Sequence, residues 1–177
     1  MVGGVAVREA PLEQTEHGLV CRGDGWFVVN AEAVRWRAWD GLGFSSNFGG
    51  DTLFDQVGIG ISALGPGEPM SMYHWETNQE DFLVLAGSGV LVVEGEERPL
   101  RPWDFVHCPP GTAHVIVGGP IVVLGVGSRQ ADDGGAYVPD PVAARYGASS
   151  PETTTDSDVA YARFPPREFT RYGGWLD

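Results

Sequence analysis

Three of the four histidines lie between residues 66 and 118, and two of these stand with acids at spacings that can be read chemically. His74 and Glu76 are separated by one residue, Glu80 follows Thr77-Asn78-Gln79, and His114 comes just behind the turn sequence Pro109-Pro110-Gly111. Imidazole and carboxylate are both good ligands for first-row divalent metals. Side chains two apart on a strand share a face, so His74 and Glu76 look into one space while Tyr73 and Trp75 turn the other way. A bend or bulge at 77–79 would carry the chain across and return Glu80 to the same face. His74, Glu76, Glu80 and His114 are therefore expected to converge on one divalent transition metal (Fe, Mn, Ni or Zn) inside a small β-barrel.

Such a site needs short strands joined by tight turns. From residue 57 onward the segments 57–64, 71–76, 82–85, 90–94, 105–108, 115–117 and 121–126 carry strand-forming runs closed by Gly, Pro or Asn. They predict an antiparallel sandwich or barrel. Gly87-Ser88-Gly89 predicts a hairpin turn, and the Glu94 to Glu97 stretch the next reversal. Upstream, 26–29 and 34–39 are predicted strands, with a helical turn at Asn30 between them. Residues 41–51 read as a loop anchored by Phe44 and Phe48, placed to fold over a pocket mouth. The first dozen residues read as a loose arm or edge strand.

After Arg129 the Gln-Ala-Asp-Asp-Gly-Gly run reads as a linker, followed by short helices. Asp140 as N-cap, Pro141 at the first helical position and Gly147 at the exit outline one, and 156–164, stopped by Pro165-Pro166, a second. Phe169, Tyr172 and Trp175 are expected to pack on the barrel or on a second subunit, and no chemistry is assigned to the tail. The organisation is thus an N-terminal arm with accessory strands (1–56), a barrel core (57–129) and a C-terminal linker with short helices (130–177), all in one globular domain.

The bulk numbers agree with this. A chain of 177 residues, 42% hydrophobic, can bury one core. Its net charge of -13 repels phosphate backbones and argues against nucleic acid as a partner. Neither a cationic, apolar N-terminal leader nor an apolar run of membrane length is present, so a cytoplasmic location away from membranes is expected. Cys21 and Cys108 are too few for a disulfide framework and read as buried thiols.

His74-x-Glu76-x3-Glu80-x6-Gly87, followed by Pro109-x-Gly111-x2-His114, resembles the two conserved motifs of the cupins, His-x-His-x3-Glu-x6-Gly and Pro-x-Gly-x2-His. The resemblance covers residues 57–126. It implies a mainly β protein, an antiparallel β-sandwich or jelly-roll barrel, here with an N-terminal β arm and short C-terminal helices. It also implies a metal held at the positions of His74, Glu76, Glu80 and His114, and a homodimer. Four positions depart from the pattern: Glu76 stands where imidazole is usual, Glu68 and Trp103 stand where glycines are usual, and Gly118 replaces a terminal Asn.

Charge makes Glu76 the consequential departure. Three neutral imidazoles and one carboxylate leave a divalent cation with net +1, whereas two of each leave zero. Alternatively His74, Glu80 and His114 alone ligate, as the two-His-one-carboxylate face of non-haem iron oxygenases does, and Glu76 stands beside the open positions as a general base. His107 is expected to face outward, His17 carries no signal, and Glu94, Glu96 and Glu97 form a solvated turn. The expected function is that of a metal-dependent enzyme of dioxygenase, isomerase or lyase type, acting on a small molecule within a barrel whose interior is lined by apolar residues such as Met70, Met72, Phe82 and Val84. The alternative is a metal-free small-molecule or sugar binding or sensing module, or a sugar-modifying enzyme, in which Glu76 and Glu80 hydrogen-bond a polyol.

Overall fold

The structure, a computed structural model, describes residues 6–129 and 134–174, and most of its ordered backbone is antiparallel strand. A hairpin of β1 (Leu12–Thr15) and β2 (Gly18–Cys21) forms a small sheet of its own. The remaining strands are β3 (Trp36–Trp39), β4 (Gly43–Asn47), β5 (Val57–Leu64), β6 (His74–Glu76), β7 (Glu80–Val93), β8 (Glu96–Leu100), β9 (Phe105–Cys108), β10 (His114–Ser128), β11 (Gly135–Tyr137) and β12 (Glu168–Thr170). They join in one sheet in the order β11-β6-β10-β5-β4-β3-β12, with β7 bonded to β10, β8 and β9. Among the described residues no helix is long and apolar enough to cross a membrane.

The sheet curls around an apolar centre. Phe82 and Val84 of β7, Val106 and Cys108 of β9, and Ile116, Ile121 and Val123 of β10 are buried together, with Met70 packed against them. A second cluster lies outside that wall, where Tyr73, Val92, Val115 and Val117 are covered by Ala143 and Ala148 of the tail. A third, around Trp36, Ile61 and Val122, closes the other end and takes in Phe44, Phe48 and Tyr172. Because β10 is covered on both faces, it reads as a nearly unbroken apolar run.

Several expectations are corrected here. Gly87-Ser88-Gly89 is not a hairpin turn: 82–85 and 90–93 belong to the single strand β7, and 115–117 and 121–126 to β10. The glycines serve close approach instead. A Cβ on Gly87 would meet the Pro120 carbonyl oxygen at 2.2 Å, and one on Gly89 the Val117 oxygen at 2.4 Å, where the β7–β10 register shifts between Gly118 and Ile121. Residues 26–29 form no strand beyond a bridge between Glu9 and Trp26, since Trp26 and Val28 are exposed and find nothing to pack on. Residues 43–47, expected in a loop, pair with β5 as β4. The loose arm contains the β1–β2 hairpin.

The tail turns are shorter than expected but capped as read. Asp140 accepts hydrogen bonds from the Val142 and Ala143 amides ahead of a 3-10 helix (Ala143–Tyr146) that ends at left-handed Gly147. Asp156 caps α1 (Ser157–Ala160). The Arg35 guanidinium lies 4.1 Å from the Phe169 ring centroid, and Trp175 lies outside the described residues. Cys21 and Cys108 are buried free thiols, and His107 faces out to bond Asp81.

Two departures from the cupin pattern have a visible cause or consequence. Trp103 adopts the left-handed backbone (φ 74°) that glycine favours, at the turn before β9, with its ring 74% exposed. Gly118 lies against β5, where a Cβ would come within 2.4 Å of the Gly65 oxygen and 2.6 Å of Leu64 Cβ. Replacing Gly118 by alanine should therefore force two strands apart and cost about 1–3 kcal/mol, measured as a fall in thermal midpoint. An unchanged midpoint would show that the strands can give way.

Candidate metal centre

β10 supplies the first donor and selects its neighbours. His114 pairs directly with His74 of β6, and the far end of the same strand pairs Gly127 with Glu80 of β7. Opposed residues on antiparallel strands point to the same side, so His74, Glu80 and His114 share the inner face. One ligand atom from each lies within 4.8 Å of the others. His114 Nε2 is 3.3 Å from Glu80 Oε2, and His74 Nε2 is 3.7 Å from the same oxygen. Bonds of about 2.0–2.2 Å from these donors to a first-row cation place ligand atoms at this order of separation.

The rings are held by their other nitrogens. His74 Nδ1 lies 2.8 Å from the Met72 carbonyl oxygen and His114 Nδ1 3.0 Å from that of Thr112. A carbonyl only accepts, so each Nδ1 carries the donated proton, and each ring turns its Nε2 toward the common centre. The Phe82 ring packs 5.4 Å from His114, centroid to centroid, and closes the site from below.

The donor set fits a cation on one further observation. Glu80 Oε2 and His114 Nε2 are buried and have no hydrogen-bond partner; they face each other without the alignment of a hydrogen bond. The His114 side chain is 2% exposed and that of Glu80 18%. Buried polar atoms left in this state cost free energy, and a divalent cation would satisfy both.

Glu76 stands apart. Its Oε1 is 3.6 Å from His74 Nε2, its side chain is 39% exposed, and it is not a member of the close group formed by the other three. The neighbouring His74 imidazole outweighs burial and holds the carboxyl below the usual range, so it is ionised at neutral pH. Around these groups opens a cavity of about 680 Å3, reaching from Met70 and Phe82 past Glu76 to Gly127 and Arg129. Of the apolar residues expected to line the barrel interior, Met70 and Phe82 stand on the cavity wall, while Val84 is buried beside them in the core and Met72 is buried as well.

One wall comes from the tail, to which sequence reading assigned no chemistry. β11 pairs along the whole of β6, setting Tyr137 opposite His74 with ring centroids 5.8 Å apart. Tyr137 lines the cavity, and burial raises its phenol above its ordinary range, so it is a neutral hydroxyl at neutral pH. Behind it, edge-on at 5.4 Å, stands Tyr161, whose hydroxyl accepts from the Met72 amide. The only sequence signal was a short apolar run after the Gly-Gly pair. The expected outward face of β6 is half right: Tyr73 is buried under the tail, while Trp75 stands at the cavity rim.

Residues 60–126 match the family model described as a cupin domain. No curated protein matches the chain. Among solved structures, a sugar phosphate isomerase of the cupin superfamily from Silicibacter pomeroyi is 25% identical over 74% of this chain and 77% of its own, with a TM-score of 0.49. The DMSP lyase DddQ from Ruegeria pomeroyi is 22% identical over 51% of this chain and 49% of its own, with a TM-score of 0.44. The chain thus spans about half the length of that lyase.

Burial alone would lower the pKa of His114, but the adjoining Cys108 sulfur and Glu80 carboxylate outweigh it and raise it to about 10. At neutral pH the cation-free site therefore keeps a proton on His114 that an incoming cation has to displace. Metal binding should release protons, and apparent affinity should rise with pH until His114 has lost its proton. Calorimetric titration with Zn2+ or Mn2+ in buffers of different ionisation enthalpy measures the release. A titration without proton release at neutral pH would contradict this pairing.

Proposed function

We propose that the protein is a metal-dependent enzyme that moves a proton on a small organic molecule held in the barrel, in the manner of an isomerase or lyase. His74, Glu80 and His114 would hold one divalent transition metal, Fe, Mn, Ni or Zn, and Glu76 would act as general base beside it. The observation that carries this reading is the pair of buried, unpartnered atoms, Glu80 Oε2 and His114 Nε2, beside a cavity whose wall includes His74 and Glu80. When bound, such a cation would polarise a carbonyl oxygen of the ligand and so acidify its neighbouring C–H.

The chain's own groups divide the remaining work. Glu76 is ionised, lines the cavity and lies 3.6 Å from His74 Nε2, which sets its carboxylate beside the centre without making it one of the close group. A carboxylate so placed accepts a proton. Tyr137, neutral and on the same face as His74, offers a hydroxyl to an oxygen of the ligand. Met70 and Phe82 exclude water from the inner wall. A second reading, dioxygen chemistry at ferrous iron, is favoured by the two-His-one-carboxylate set itself.

Elemental analysis of protein purified without chelator tests the proposal. Wild-type protein and Glu76→Gln should each carry about one transition metal per chain, and His114→Ala should lose it. Iron as the sole metal, with dioxygen consumption, would favour the second reading. Metal-free wild-type protein whose thermal midpoint does not move on adding manganese, iron, nickel or zinc would sink both. Loss of metal from Glu76→Gln would make Glu76 a ligand and remove it as the base.

A further inference from the structure

We infer that the cavity takes a small organic anion, whose carboxylate or phosphate group sits on the Arg129 guanidinium while its other end reaches the His74–Glu80–His114 centre. Only the reacting end rests on the metal-dependent reading above.

Four glycines make room for such a ligand. Gly125 pairs with Gly60 and Gly127 with Gly58 across β10 and β5, while on the other side of β10 Gly125 pairs with Phe82 and Gly127 with Glu80. Opposed residues share a face, so these glycines lie on the inner face with Glu80, and all four line the cavity. Glycine weakens a strand interior, so its presence there needs a reason. Backbone geometry does not supply one at Gly125 or Gly127: neither has a left-handed φ, a Cβ on Gly127 would meet only Glu80 Cγ at 3.9 Å, and one on Gly125 would make ordinary contact with Phe82 at 3.4 Å. What the missing side chains leave is cavity.

Arg129 continues the same spacing, two residues beyond Gly127, and its amide donates to the Gln56 oxygen at 2.9 Å, which extends the pairing with the β5 side. Its guanidinium lies over Gly58, with Nε and Nη2 3.2 Å from where a Cβ would stand. It is the one Arg or Lys on the described cavity wall. Among the described residues no carboxylate forms an ion pair with it; the same holds for Arg8, Arg37, Arg163, Arg167 and Arg171, but Arg129 alone of these lies on the cavity wall, while Arg22, Arg35, Arg98, Arg101 and Arg145 are paired. A planar fork of donors laid on a glycine surface suits a carboxylate or phosphate, which it can bind through two parallel hydrogen bonds. The charges at the other end require it. A divalent cation beside Glu76 and Glu80 is close to neutral and draws no anion by itself, so in a chain of net charge -13 the attraction has to come from this arginine.

Thermal unfolding of Mn2+-loaded protein tests this, with malonate, inorganic phosphate and neutral glycerol as probes. Malonate or phosphate should raise the midpoint in a saturable way and glycerol should not; the stronger of the two identifies the anionic group. Arg129→Gln should weaken that anion about tenfold or more, Arg129→Lys less, and Gly127→Val should block it by filling the wall. Anion shifts that are the same in Arg129→Gln as in wild type, or absent from wild type, would overturn the inference. Metal content measured on the same samples separates the two ideas. Arg129-dependent anion binding to protein that takes up no metal would defeat only the reaction proposed above, and Arg129-independent binding to loaded protein would defeat only this one.

Discussion

The structure depends on keeping one face of β10 turned inward along its whole length. The strand bonds to β7 through both of its halves, to β5 through its second half and to β6 through His114. Between the halves the register slips at Gly118 to Ile121, and the slip resets the alternation so that His114, Ile116, Ile121 and Val123 all point to the centre, with Gly125 and Gly127 following. Without that reset the two halves would present opposite faces. The apolar floor and the open end of the cavity would then lie on different sides of the sheet. Gly87, Gly89 and Gly118 are the positions where backbone atoms come too close for a side chain, and together they make the slip possible.

The candidate centre rests on the stiffest part of this frame. His114 is wedged between Phe82 and His74, with its Nδ1 tied to a backbone carbonyl, so its ring has little freedom. Glu80 begins the strand that carries Phe82 and Val84 into the core. The fold thus tolerates two unpartnered polar atoms in a buried place, which runs against stability and is characteristic of positions kept for binding. Glu76 is different in kind: its side chain is 39% exposed and its carboxylate lies 3.6 Å from His74, so it can move without disturbing the core.

How much of this was legible in the sequence follows from the range of the interactions involved. Strand parity and the spacing of His74, Glu80 and His114 are local, and they pointed to one face and one barrel. The separation of Glu76 from the close group was not legible, because parity alone puts it beside His74 and the divergence is a matter of ångströms. Gly87-Ser88-Gly89 misled, since glycine marks a reversal and a close approach equally well, and only the Pro120 and Val117 carbonyls opposite decide between them. The strand at 43–47 was hidden by its Gly, Ser and Asn content. Its burial comes from pairing with β5, a neighbour that no local pattern reveals. Tyr137 escaped for the same reason, since nothing near it in sequence says that it will lie opposite His74.

The tail's grip on β6 carries a consequence for the order of events in synthesis. β6 touches β10 through a single residue pair, whereas the segment around it is bonded to residues that follow the barrel: Met72 to Tyr161, Tyr73 to Ala148 and Val138, Thr77 to Gly134, and His74 to Glu76 along β11. A ribosome that has released only the barrel strands has supplied His114, which pairs with His74, and Gly111, which donates to the Glu76 carbonyl, but not β11 on the other side of β6. Folding of this protein is vectorial in its core, and the wall beside His74 and Glu76 is closed by residues translated after the barrel.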